Sequence, residues 1–309
     1  MNKKSPLLIL GARGLVGSAL VRKFKSVGHE SILAPFRDEL DLTNQQAVLE
    51  YFKTHKPEYV IDAAAKVGGI YANNTYPADF IFQNLAIQNN VFDACFKHNI
   101  NKLIFLGSSC IYPRLCPQPI KEEYLLTGEL EKTNEAYAIA KIAGLKMAES
   151  FRKQYGCNYF SLMPTNIYGV NDNFHPDNSH VIPGLIVRMK KTLDEGKKEF
   201  EIWGTGTPKR EFLYVDDLAS ACHFIMNYQG NIEGTHLNVG TGEDISIGEL
   251  ARLIGKIMGF KGEYIFNSNY PDGTPRKLLD VSKIKALGWK PEVELEEGLK
   301  QSIQFYLQQ

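Results

Sequence analysis

Tyr137 and Lys141 are the residues whose types and spacing most directly indicate chemistry. They lie four positions apart in a segment with helical periodicity, so both side chains are expected on one face of a helix. An ammonium ~4 Å from a phenol contributes about 4 kcal/mol at an effective dielectric constant of about 20, or roughly three pKa units. The pair therefore predicts a tyrosine whose pKa is lowered toward neutrality, where the phenol exchanges a proton with a carbonyl oxygen.

The same spacing is compatible with a structural pair, in which Tyr137 packs and Lys141 is a surface charge. Among the 15 tyrosines of the chain, a lysine at this spacing is expected by chance, and only Tyr137 has one. The context favours chemistry, because Ser108 and Ser109 end the predicted strand that comes before this helix.

Gly11, Gly14 and Gly17 form the pattern of a phosphate-binding loop between a predicted strand and a predicted helix. In such a loop the glycines allow a tight turn, close approach to a pyrophosphate and close packing of the helix on the strand. The helix N-terminus adds free N–H groups and a positive dipole end. Because the chain has 26 glycines, the pattern alone is weak. Its position at the first strand–helix turn favours a dinucleotide site over a merely structural turn.

Arg37 and Arg13 predict which dinucleotide binds. The second strand of such units normally ends, about 20 positions after the glycines, in an acidic residue that binds the ribose 2′-hydroxyl of NAD. Here that count reaches Arg37, and Arg13 lies inside the loop. Guanidinium groups bind phosphate oxygens in pairs, so the two arginines predict NADP(H). Asp38, and the alternative that Arg37 is a solvated loop charge, leave NAD open.

Apolar strands alternate with longer helical segments around these motifs. The strands are predicted at Leu7 to Leu10, Ser31 to Ala34, Tyr59 to Asp62, Lys102 to Leu106, Tyr159 to Met163, Phe200 to Trp203, Phe212 to Val215 and His236 to Val239. The helices are predicted at Leu15 to Val27, Thr43 to Thr54, Phe80 to His98, Asn134 to Tyr155, Ile182 to Leu193, Asp217 to Met226, Ser246 to Met258 and Leu295 to Leu307. Thr43 with Gln46, and Ser246 with Glu249, have the spacing of capping boxes.

This alternation is typical of βαβ units. The predicted fold class is α/β, with a doubly wound parallel (Rossmann) sheet and a smaller C-terminal α/β substrate domain. We expect an NADP-binding domain over residues 1–168, which a segment at about 212–240 rejoins, and a mainly substrate-binding domain over 169–309.

Composition narrows the classes of function further. The 309 residues carry 35 Lys+Arg and 35 Asp+Glu, and a formal net charge of zero argues against nucleic-acid or anionic membrane partners. No run approaches the ~18 apolar residues of a spanning helix, and the N-terminus lacks a signal-peptide core. Five cysteines without a paired framework indicate a reducing compartment. We therefore expect a cytoplasmic globular protein, and no metal site is predicted.

The glycine loop, Ser108 and Tyr137-x-x-x-Lys141 together resemble the extended short-chain dehydrogenase/reductases, in which these three residues are catalytic. Longer segments resemble one branch of them, the NADPH-dependent 3,5-epimerase/4-reductases that convert GDP-4-keto-6-deoxy-D-mannose to GDP-L-fucose. These segments are residues 63–70, 72–77, 107–113, 163–166, 172–176, 178–183 and 271–277. The sequence departs from the pattern at Ala136, where proline is common, and at Ala12, where histidine occurs.

In this branch a ketone at C4 acidifies the hydrogens at C3 and C5 of the sugar. The resemblance makes Cys110 the base and His180 the acid of epimerisation, and a thiol and an imidazole can both exchange protons near neutral pH. Without the resemblance, Cys110 would be interpreted as a small buried apolar residue and His180 as an ordinary loop histidine. In the reduction, Tyr137 protonates the C4 oxygen, Ser108 hydrogen-bonds it, and Lys141 tunes Tyr137 and holds the nicotinamide ribose.

The resemblance also implies contacts with NADP(H), with the nucleotide sugar and with a second copy of the chain in a homodimer. The cofactor contacts are Gly11, Ala12, Arg13, Gly14, Leu15, Val16, Gly17, Arg37, Leu106, Gly107, Ser109, Lys141, Pro164, Thr165, Asn166, Ile167 and His180. The substrate contacts are Arg188, Trp203, Arg210, Asp272 and Lys277, with Arg210 on phosphate and Trp203 on sugar or base, although Trp203 alone could be a core aromatic. Two other functions stay open: a nucleotide-sugar epimerase or dehydratase with bound NAD, and a non-catalytic nucleotide-sensing protein.

Overall fold

The computed structural model describes residues 1–175, 179–270 and 272–309, without the side chain of Ile70. Pro176, Asn178 and Pro271, which belong to the resembling segments, lie outside the described residues. The strands are β1 Leu7–Leu10, β2 Ile32–Leu33, β3 Tyr59–Asp62, β4 Lys102–Leu106, β5 Tyr159–Pro164, β6 Asn166–Tyr168, β7 Glu199–Trp203, β8 Lys209–Arg210, β9 Phe212–Tyr214, β10 His236–Val239, β11 Ile245–Ser246, β12 Glu263–Asn267 and β13 Arg276–Lys277. The helices are α1 Leu15–Ser26, α2 Gln45–His55, α3 Ile70–Thr75, α4 Pro77–Lys97, α5 Glu135–Tyr155, α6 Val181–Asp194, α7 Val215–Asn227, α8 Ile247–Met258, α9 Ser282–Ala286 and α10 Leu295–Leu307. None of these helices is long and apolar enough to cross a membrane.

Six strands form one sheet in the order β10-β5-β4-β3-β1-β2, and every neighbouring pair is parallel. The chain moves to one side of β1 to form β2 and then to the other side to form β3. The switch point therefore lies between the carboxyl ends of β1 and β3, where doubly wound sheets bind their ligands. The predicted fold class, a doubly wound parallel sheet, is confirmed.

The side chains of β1 show why the sheet is covered on both faces. Leu7 and Ile9 belong to one buried apolar cluster, and Leu8 and Leu10 belong to another. All four are at most 1% exposed. Because alternate side chains of a strand point to opposite faces, a strand that is apolar throughout must be buried on both sides. Burial of each leucine or isoleucine contributes about 1.5–3 kcal/mol, so β1 alone anchors both helix layers.

A third apolar cluster supports the C-terminal part of the chain and draws on β7, α6, α8 and α10. Part of the segment at 212–240 returns to the first unit: β10 pairs with β5 at the edge of the large sheet, and His223 of α7 packs edge-on against Phe24 of α1. The strand at 212–214 does not join that sheet, because β9 pairs with β6 in a separate parallel ribbon. This ribbon leads the chain from the carboxyl edge of the sheet into the C-terminal unit.

The two predicted capping boxes have different outcomes. The box at Ser246 and Glu249 is confirmed, since the Ser246 side chain and the Glu249 side chain each bond the other residue's backbone N–H. The box at Thr43 is wrong: Asn44 caps α2 by accepting a bond from the N–H of Ala47, while the Thr43 hydroxyl donates to Asp41. A carboxylate two positions before Thr43 competes for its hydroxyl, and the neighbouring amide caps in its place.

A buried polar network fixes the loop that follows β4 to the edge strand β10. The Tyr112 hydroxyl donates to Oδ1 of Asn238, whose Nδ2 donates to the carbonyls of Ile120 and Asp280. Nε2 of His236 lies 3.0 Å from the same hydroxyl. Because the Tyr112 proton is committed to Asn238, Nε2 of His236 donates to the Tyr112 oxygen. Burial lowers the pKa of His236 from its ordinary value of 6.5 to about 4.

This neutral histidine predicts a loss of stability in acid. The unfolded chain binds the proton near pH 6.5, whereas the folded chain resists it until about pH 4. The contribution is therefore fully present above pH 6.5 and is lost as the pH falls toward 4. A shift of this size is worth about 3 kcal/mol in total, of which about 2 kcal/mol is lost by pH 5. Urea unfolding of the parent and of His236→Gln between pH 7 and pH 5 measures it.

The Gln variant should show the flatter pH dependence, because its amide can replace the Nε2 donor and does not titrate. His55→Gln, at an exposed position on α2, is the matched control and should keep the slope of the parent. Equal slopes for the parent and His236→Gln would contradict the assignment of a neutral buried His236.

Candidate active site

The glycine loop lies at the switch point of the sheet. Gly11 has φ +81°, and a Cβ on it would lie 2.8 Å from the carbonyl oxygen of Ala63, just past β3. A Cβ on Gly17 would lie 2.0 Å from the carbonyl oxygen of Gly11, so α1 packs directly on the turn. Ala12 completes the turn, and Leu15 and Val16 form the first turn of α1. The loop is thus held close by contacts that only glycine permits.

The N-terminus of α1 fits a dinucleotide diphosphate. Gly14 is its N-cap, no side chain caps it, and the first turn has no acidic residue. The first backbone N–H groups of a helix have no partner within the helix, so here they are available to phosphate oxygens. These residues would hold the diphosphate of a nicotinamide cofactor.

Arg13 and the loop after β2 come together beside this turn. The Arg13 guanidinium stacks on the ring of Phe36 at 3.7 Å and lies 3.7 Å from Oδ1 of Asp38. Arg37 is exposed in the same loop. The structure therefore places both predicted 2′-phosphate contacts at one side of the glycine loop, with an acidic neighbour that reduces their net positive charge.

The strand β4 carries the next group of predicted residues past its carboxyl end. Ser108 caps a short 3₁₀ turn over Ser109–Ile111, and its Oγ accepts a bond from the N–H of Cys110 at 3.3 Å. Gly107 is also restricted, since a Cβ there would lie 2.2 Å from the side chain of Met163. Ser108 and Cys110 are therefore presented by one rigid turn.

Lys141 joins helix α5 to this strand end. Its side chain is buried, and Nζ donates to the carbonyl oxygen of Leu106 at 2.8 Å. The same nitrogen lies 5.8 Å from the centre of the Tyr137 ring. Because α5 places Tyr137 one turn before Lys141, this bond also sets the position of the phenol over the Ser108–Cys110 turn.

The prediction that Lys141 lowers the pKa of Tyr137 is wrong. Burial raises the pKa of Tyr137, and the nearby thiol of Cys110 adds to the increase. The ammonium of Lys141 donates instead to the carbonyl oxygen of Leu106, and desolvation of the phenolate is the largest cause of the raised pKa. Tyr137 is therefore a protonated phenol at neutral pH, which suits a proton donor better than a base.

Asp62 was not predicted and lies close to this pair. It ends β3, is 1% exposed, and accepts a bond from the N–H of Ala64 through Oδ1. Among the described residues its Oδ2 has no hydrogen-bond partner. Burial raises the pKa of Asp62 to about 6, while Lys141 opposes the increase. The available signal in the sequence was an acidic residue at the carboxyl end of an apolar strand.

Cys110 is buried between cationic groups. Burial raises the pKa of its thiol, while the ammonium of Lys277 and then the Ser108 hydroxyl and Lys141 act to lower it. Lys277 lies on β13 directly beside Arg210 of β8. The structure therefore brings Lys277, predicted only as a substrate contact, within electrostatic range of the thiol as well. Positive charge beside a thiol favours its thiolate form.

His180 lies on a different element from the other predicted catalytic residues. It is the N-cap residue of α6 and is exposed to solvent, although nearby protein atoms partly desolvate its imidazole and so lower its pKa. In the described part of the chain no hydrogen bond joins His180 to Ser108, Cys110, Tyr137 or Lys141. Its predicted role as the acid stays a prediction.

The segment from Pro164 to Ile167 crosses from β5 to β6 at the same edge. The Thr165 hydroxyl donates to the carbonyl oxygen of Glu211 at 3.2 Å, and Nδ2 of Asn166 donates to the same oxygen at 2.7 Å. The Thr165 N–H donates to Val239 at the end of β10. This segment, predicted to contact the cofactor, is thus fixed by two other strands.

The other predicted substrate residues line the C-terminal unit. The guanidinium of Arg188 lies 4.2 Å from the centre of the Trp203 ring, and Tyr270 stacks on Trp203 at 4.6 Å. Trp203 is 48% exposed, so it is a surface platform and not a core residue. Asp272 accepts bonds from the N–H and hydroxyl of Thr205, which gives its carboxylate a role in holding the loop. Tyr270 was not predicted, and only its aromatic type could have indicated it.

Within residues 1–175, 179–270 and 272–309, no group of three or more His, Cys, Asp or Glu side chains is placed to hold a metal ion.

The glycine loop generates a prediction that separates packing from ligand binding. Gly17→Ala should lower the midpoint of thermal unfolding by about 2–6 °C without any ligand, because its Cβ overlaps the backbone of Gly11. Gly14→Ala is the matched control for packing: its Cβ would lie 3.4 Å from the nearest atom, the carbonyl oxygen of Gly11. This variant should keep the midpoint of the parent but bind NADPH at least about tenfold more weakly, since the methyl group faces the phosphates. Scanning calorimetry and fluorescence titration with NADPH measure the two effects, and unchanged NADPH affinity in Gly14→Ala would contradict the placement of the diphosphate.

Comparison with known proteins gives the context of this geometry. A model of the NAD dependent epimerase/dehydratase family matches residues 7–240. The chain is 53% identical to GDP-L-fucose synthase 1 of Arabidopsis thaliana over 306 residues, which cover 99% of this chain and 94% of the relative. It is 50% identical to GDP-L-fucose synthase of Escherichia coli (strain K12) over 312 residues, which cover 99% of this chain and 97% of that one.

Solved structures show the same fold over the whole length. MlghC, a GDP-mannoheptose C4 reductase from Campylobacter jejuni solved with NADP bound, superposes with a TM-score of 0.92 at 41% identity and covers 99% of both chains. The family model matches most of the chain, and relatives with at least 50% identity match nearly all of it. Together these matches establish the family. The chain belongs to the NAD dependent epimerase/dehydratase family and, within it, to the GDP-L-fucose synthase family.

Proposed function

We propose that this protein converts GDP-4-keto-6-deoxy-D-mannose to GDP-L-fucose, by epimerisation at C3 and C5 followed by reduction at C4 with NADPH. The observation that carries the proposal is the Cys110 thiol on the turn after β4, close to Tyr137 and in the field of Lys277 and Lys141. A reductase alone has no need of an acid–base thiol at this position. The family membership supplies the class of reaction.

In the first half of the reaction Cys110 removes the protons from C3 and C5. The cations of Lys277 and Lys141 favour its thiolate. The negative charge that leaves carbon collects on the C4 oxygen as an enolate. Ser108 and the protonated Tyr137 face this oxygen as hydrogen-bond donors, and charge-assisted bonds of this kind stabilise an oxyanion.

His180 returns a proton to each carbon from a different element of the fold. Its pKa is lowered by its surroundings, so the imidazolium is a stronger acid than a solvated one. Cys110 and His180 thus form an acid–base pair drawn from β4 and α6, and inversion requires that the two groups act on opposite faces of the sugar.

When bound, NADPH would supply the hydride for the reduction at C4. The glycine loop would hold the cofactor diphosphate, Arg13 and Arg37 would hold the 2′-phosphate, and the segment at 164–167 would border the nicotinamide. Tyr137 then donates its phenolic proton to the C4 oxygen, and its raised pKa keeps that proton in place at neutral pH. Lys141 holds the phenol in position through its bond to Leu106.

The GDP part of the substrate fits the C-terminal unit. Arg210 and Lys277 lie side by side on β8 and β13 and provide two cations for the diphosphate. The Trp203–Tyr270 stack, with Arg188 beside it, provides an aromatic surface for guanine.

The proposal extends to a cytoplasmic homodimer. Phe82 and Phe96 on α4, and Ile139 and Tyr155 on α5, are between 37% and 72% exposed. The two helices pack against each other, so a second copy that pairs α4 and α5 with their own copies would cover these side chains. The zero net charge gives no alternative partner among nucleic acids or anionic membranes.

A second candidate is reduction of a GDP-keto sugar at C4 without epimerisation, which the likeness to the C4 reductase MlghC favours. The first candidate requires Cys110 as a base, whereas reduction alone does not, so substitution of Cys110 distinguishes them.

Cys110→Ser should abolish carbon deprotonation without emptying the site, since a hydroxyl is nearly isosteric with the thiol but far less readily ionised. In deuterated water without NADPH, the parent should exchange hydrogen at C3 and C5 of GDP-4-keto-6-deoxy-D-mannose, and the variant should not. With NADPH the variant should still reduce C4 and give the unepimerised 6-deoxy sugar. NMR of the recovered nucleotide sugar measures both results.

Tyr137→Phe is the complementary control, because it removes the proton donor of the reduction and leaves Cys110 and His180 in place. Its reduction rate should fall by about 10²-fold or more while some exchange persists. If the parent reduces the substrate but exchanges neither C3 nor C5, the second candidate replaces the first. Exchange at the parent rate in Cys110→Ser would mean that another group is the base.

The cofactor preference tests Arg37. The parent should use NADPH with a higher kcat/KM than NADH, and Arg37→Ala should reduce that ratio about tenfold or more. Charge-assisted hydrogen bonds to the 2′-phosphate contribute about 1.5–3 kcal/mol each, and NADH has no such phosphate. Arg22→Ala, on α1 with a surface ion pair to Asp216, is the matched control and should leave the ratio unchanged. A parent that uses both cofactors equally would overturn the NADP assignment.

A further inference from the structure

Glu211 is a buried carboxylate that ties three segments together. It is fully buried between β8 and β9. Its Oε1 accepts a bond from the N–H of Gly242 at 2.7 Å, and its Oε2 accepts one from the N–H of Leu279 at 3.0 Å. Burial raises the pKa of Glu211, and the two backbone N–H groups oppose the increase because they favour a carboxylate with two acceptor oxygens.

The backbone of Glu211 makes a separate connection. Its carbonyl oxygen accepts bonds from the Thr165 hydroxyl and from Nδ2 of Asn166, in the segment that borders the cofactor. The side chain therefore faces the substrate side of the site, and the main chain faces the cofactor side.

The segments that Glu211 holds carry the two cations proposed for the diphosphate. Arg210 is the last residue of β8 and immediately precedes Glu211. Lys277 lies two residues before Leu279. Lys277 pairs with Arg210 between the strands, and the N–H of Leu278 donates to the side chain of Gln118. The bond from Leu279 to Glu211 thus fixes the strand of Lys277 against the strand of Arg210.

Close packing keeps the carboxylate in one place. A Cβ on Gly240 would lie 2.2 Å from Oε1 of Glu211, so the backbone at 240–242 is pressed against it. Any side chain at Gly240 would have to displace the carboxylate. The loop and the carboxylate are therefore positioned by each other.

We infer that Glu211 is a positioning residue that sets Lys277 and Arg210 at the spacing required by the diphosphate of the nucleotide sugar. The inference rests on the proposed function, because that function supplies the diphosphate ligand. In this inference the Glu211 side chain supports substrate binding, and the Glu211 backbone carbonyl supports cofactor binding. A substitution at position 211 changes the side chain but leaves the backbone carbonyl in place.

Glu211→Gln tests whether the side chain of Glu211 acts on substrate binding alone. The amide keeps one acceptor oxygen and places an NH₂ group against a backbone N–H, so one of the two ties is lost. The KM for GDP-4-keto-6-deoxy-D-mannose should rise about tenfold, while the Kd for NADPH stays within about twofold of the parent value. Steady-state kinetics and calorimetric titration with GDP and with NADPH measure these constants.

Asp217→Asn is the matched control. Asp217 is also buried, and its two oxygens accept bonds from the N–H groups of Glu292 and Val293, each at 3.0 Å, away from the site. Both variants should lower the unfolding midpoint, but only Glu211→Gln should raise the KM. A double variant with Lys277→Met should bind GDP no more weakly than Lys277→Met alone, because Glu211 acts through that segment.

A normal KM and normal GDP affinity in Glu211→Gln, with a stability loss like that of Asp217→Asn, would overturn the inference. If the variant does not fold, Gly240→Ala displaces the same carboxylate by steric contact and should show the same change in KM at constant NADPH affinity. If the parent does not turn over the keto sugar, the proposed function fails. The GDP and NADPH titrations then still decide whether Glu211 separates the two binding sites.

Discussion

The bond from the Lys141 ammonium to the carbonyl oxygen of Leu106 is the interaction on which the geometry of the site depends. It joins the inner face of α5 to the end of β4, and these two elements carry Tyr137, Ser108 and Cys110. Removing an ammonium from water is costly unless it is hydrogen-bonded and near an opposite charge. Leu106 provides the hydrogen bond, and the carboxylate of Asp62 at the end of the neighbouring strand provides the charge. The ends of two neighbouring strands therefore make a buried lysine possible.

The C-terminal unit is held to this edge by hydrogen bonds as well as by apolar side chains of residues 279–289, which join the first apolar cluster. The first two apolar clusters cover the large sheet, and the third is built around α6, α8 and α10. Between them, β6 pairs with β9, and the Glu211 carbonyl bonds Thr165 and Asn166. Polar bonds have directional geometry, which apolar contacts lack, so they can fix the distance between a cofactor segment and a substrate segment closely. This arrangement explains why polar residues are buried at the junction.

The sequence predicts the frame of the molecule better than its junctions. The strand Leu7–Leu10 is apolar throughout, Lys102–Leu106 is apolar after its first residue, and both have the predicted bounds. The cap of α2 is wrongly placed at Thr43, because the choice between Thr43 and Asn44 depends on where the Asp41 carboxylate points. The pKa of Tyr137 is wrong for a related reason. Spacing shows that Lys141 shares its helix face, but the direction of the ammonium is set by the carbonyl group of Leu106 on another strand.

In the candidate site, too, the sequence predicts some residues and misses others. Residue types and the resemblance identify Ser108, Cys110, Tyr137 and Lys141, which one strand end and one helix bring together. The sequence indicates Asp62 only by its place at the end of an apolar strand, and it does not indicate Glu211. The roles of both residues come from partners between 30 and 80 positions away that only the folded chain brings near. A single acidic residue has no periodicity, so periodicity cannot distinguish a buried carboxylate from a solvated one.

Lys277 shows how the two units become one site. Burial raises the pKa of the Cys110 thiol, and the Lys277 ammonium opposes this increase from the substrate side, while Lys141 opposes it from the side of α5. In the proposed reaction Lys277 also neutralises a phosphate of the substrate, so one cation serves both the bound nucleotide and the base. Burial alone would leave Cys110 as an inert thiol. Its proposed activity therefore requires that β13 be held against β8 at the carboxyl edge of the sheet, which makes the chemistry at β4 dependent on the packing of the C-terminal unit.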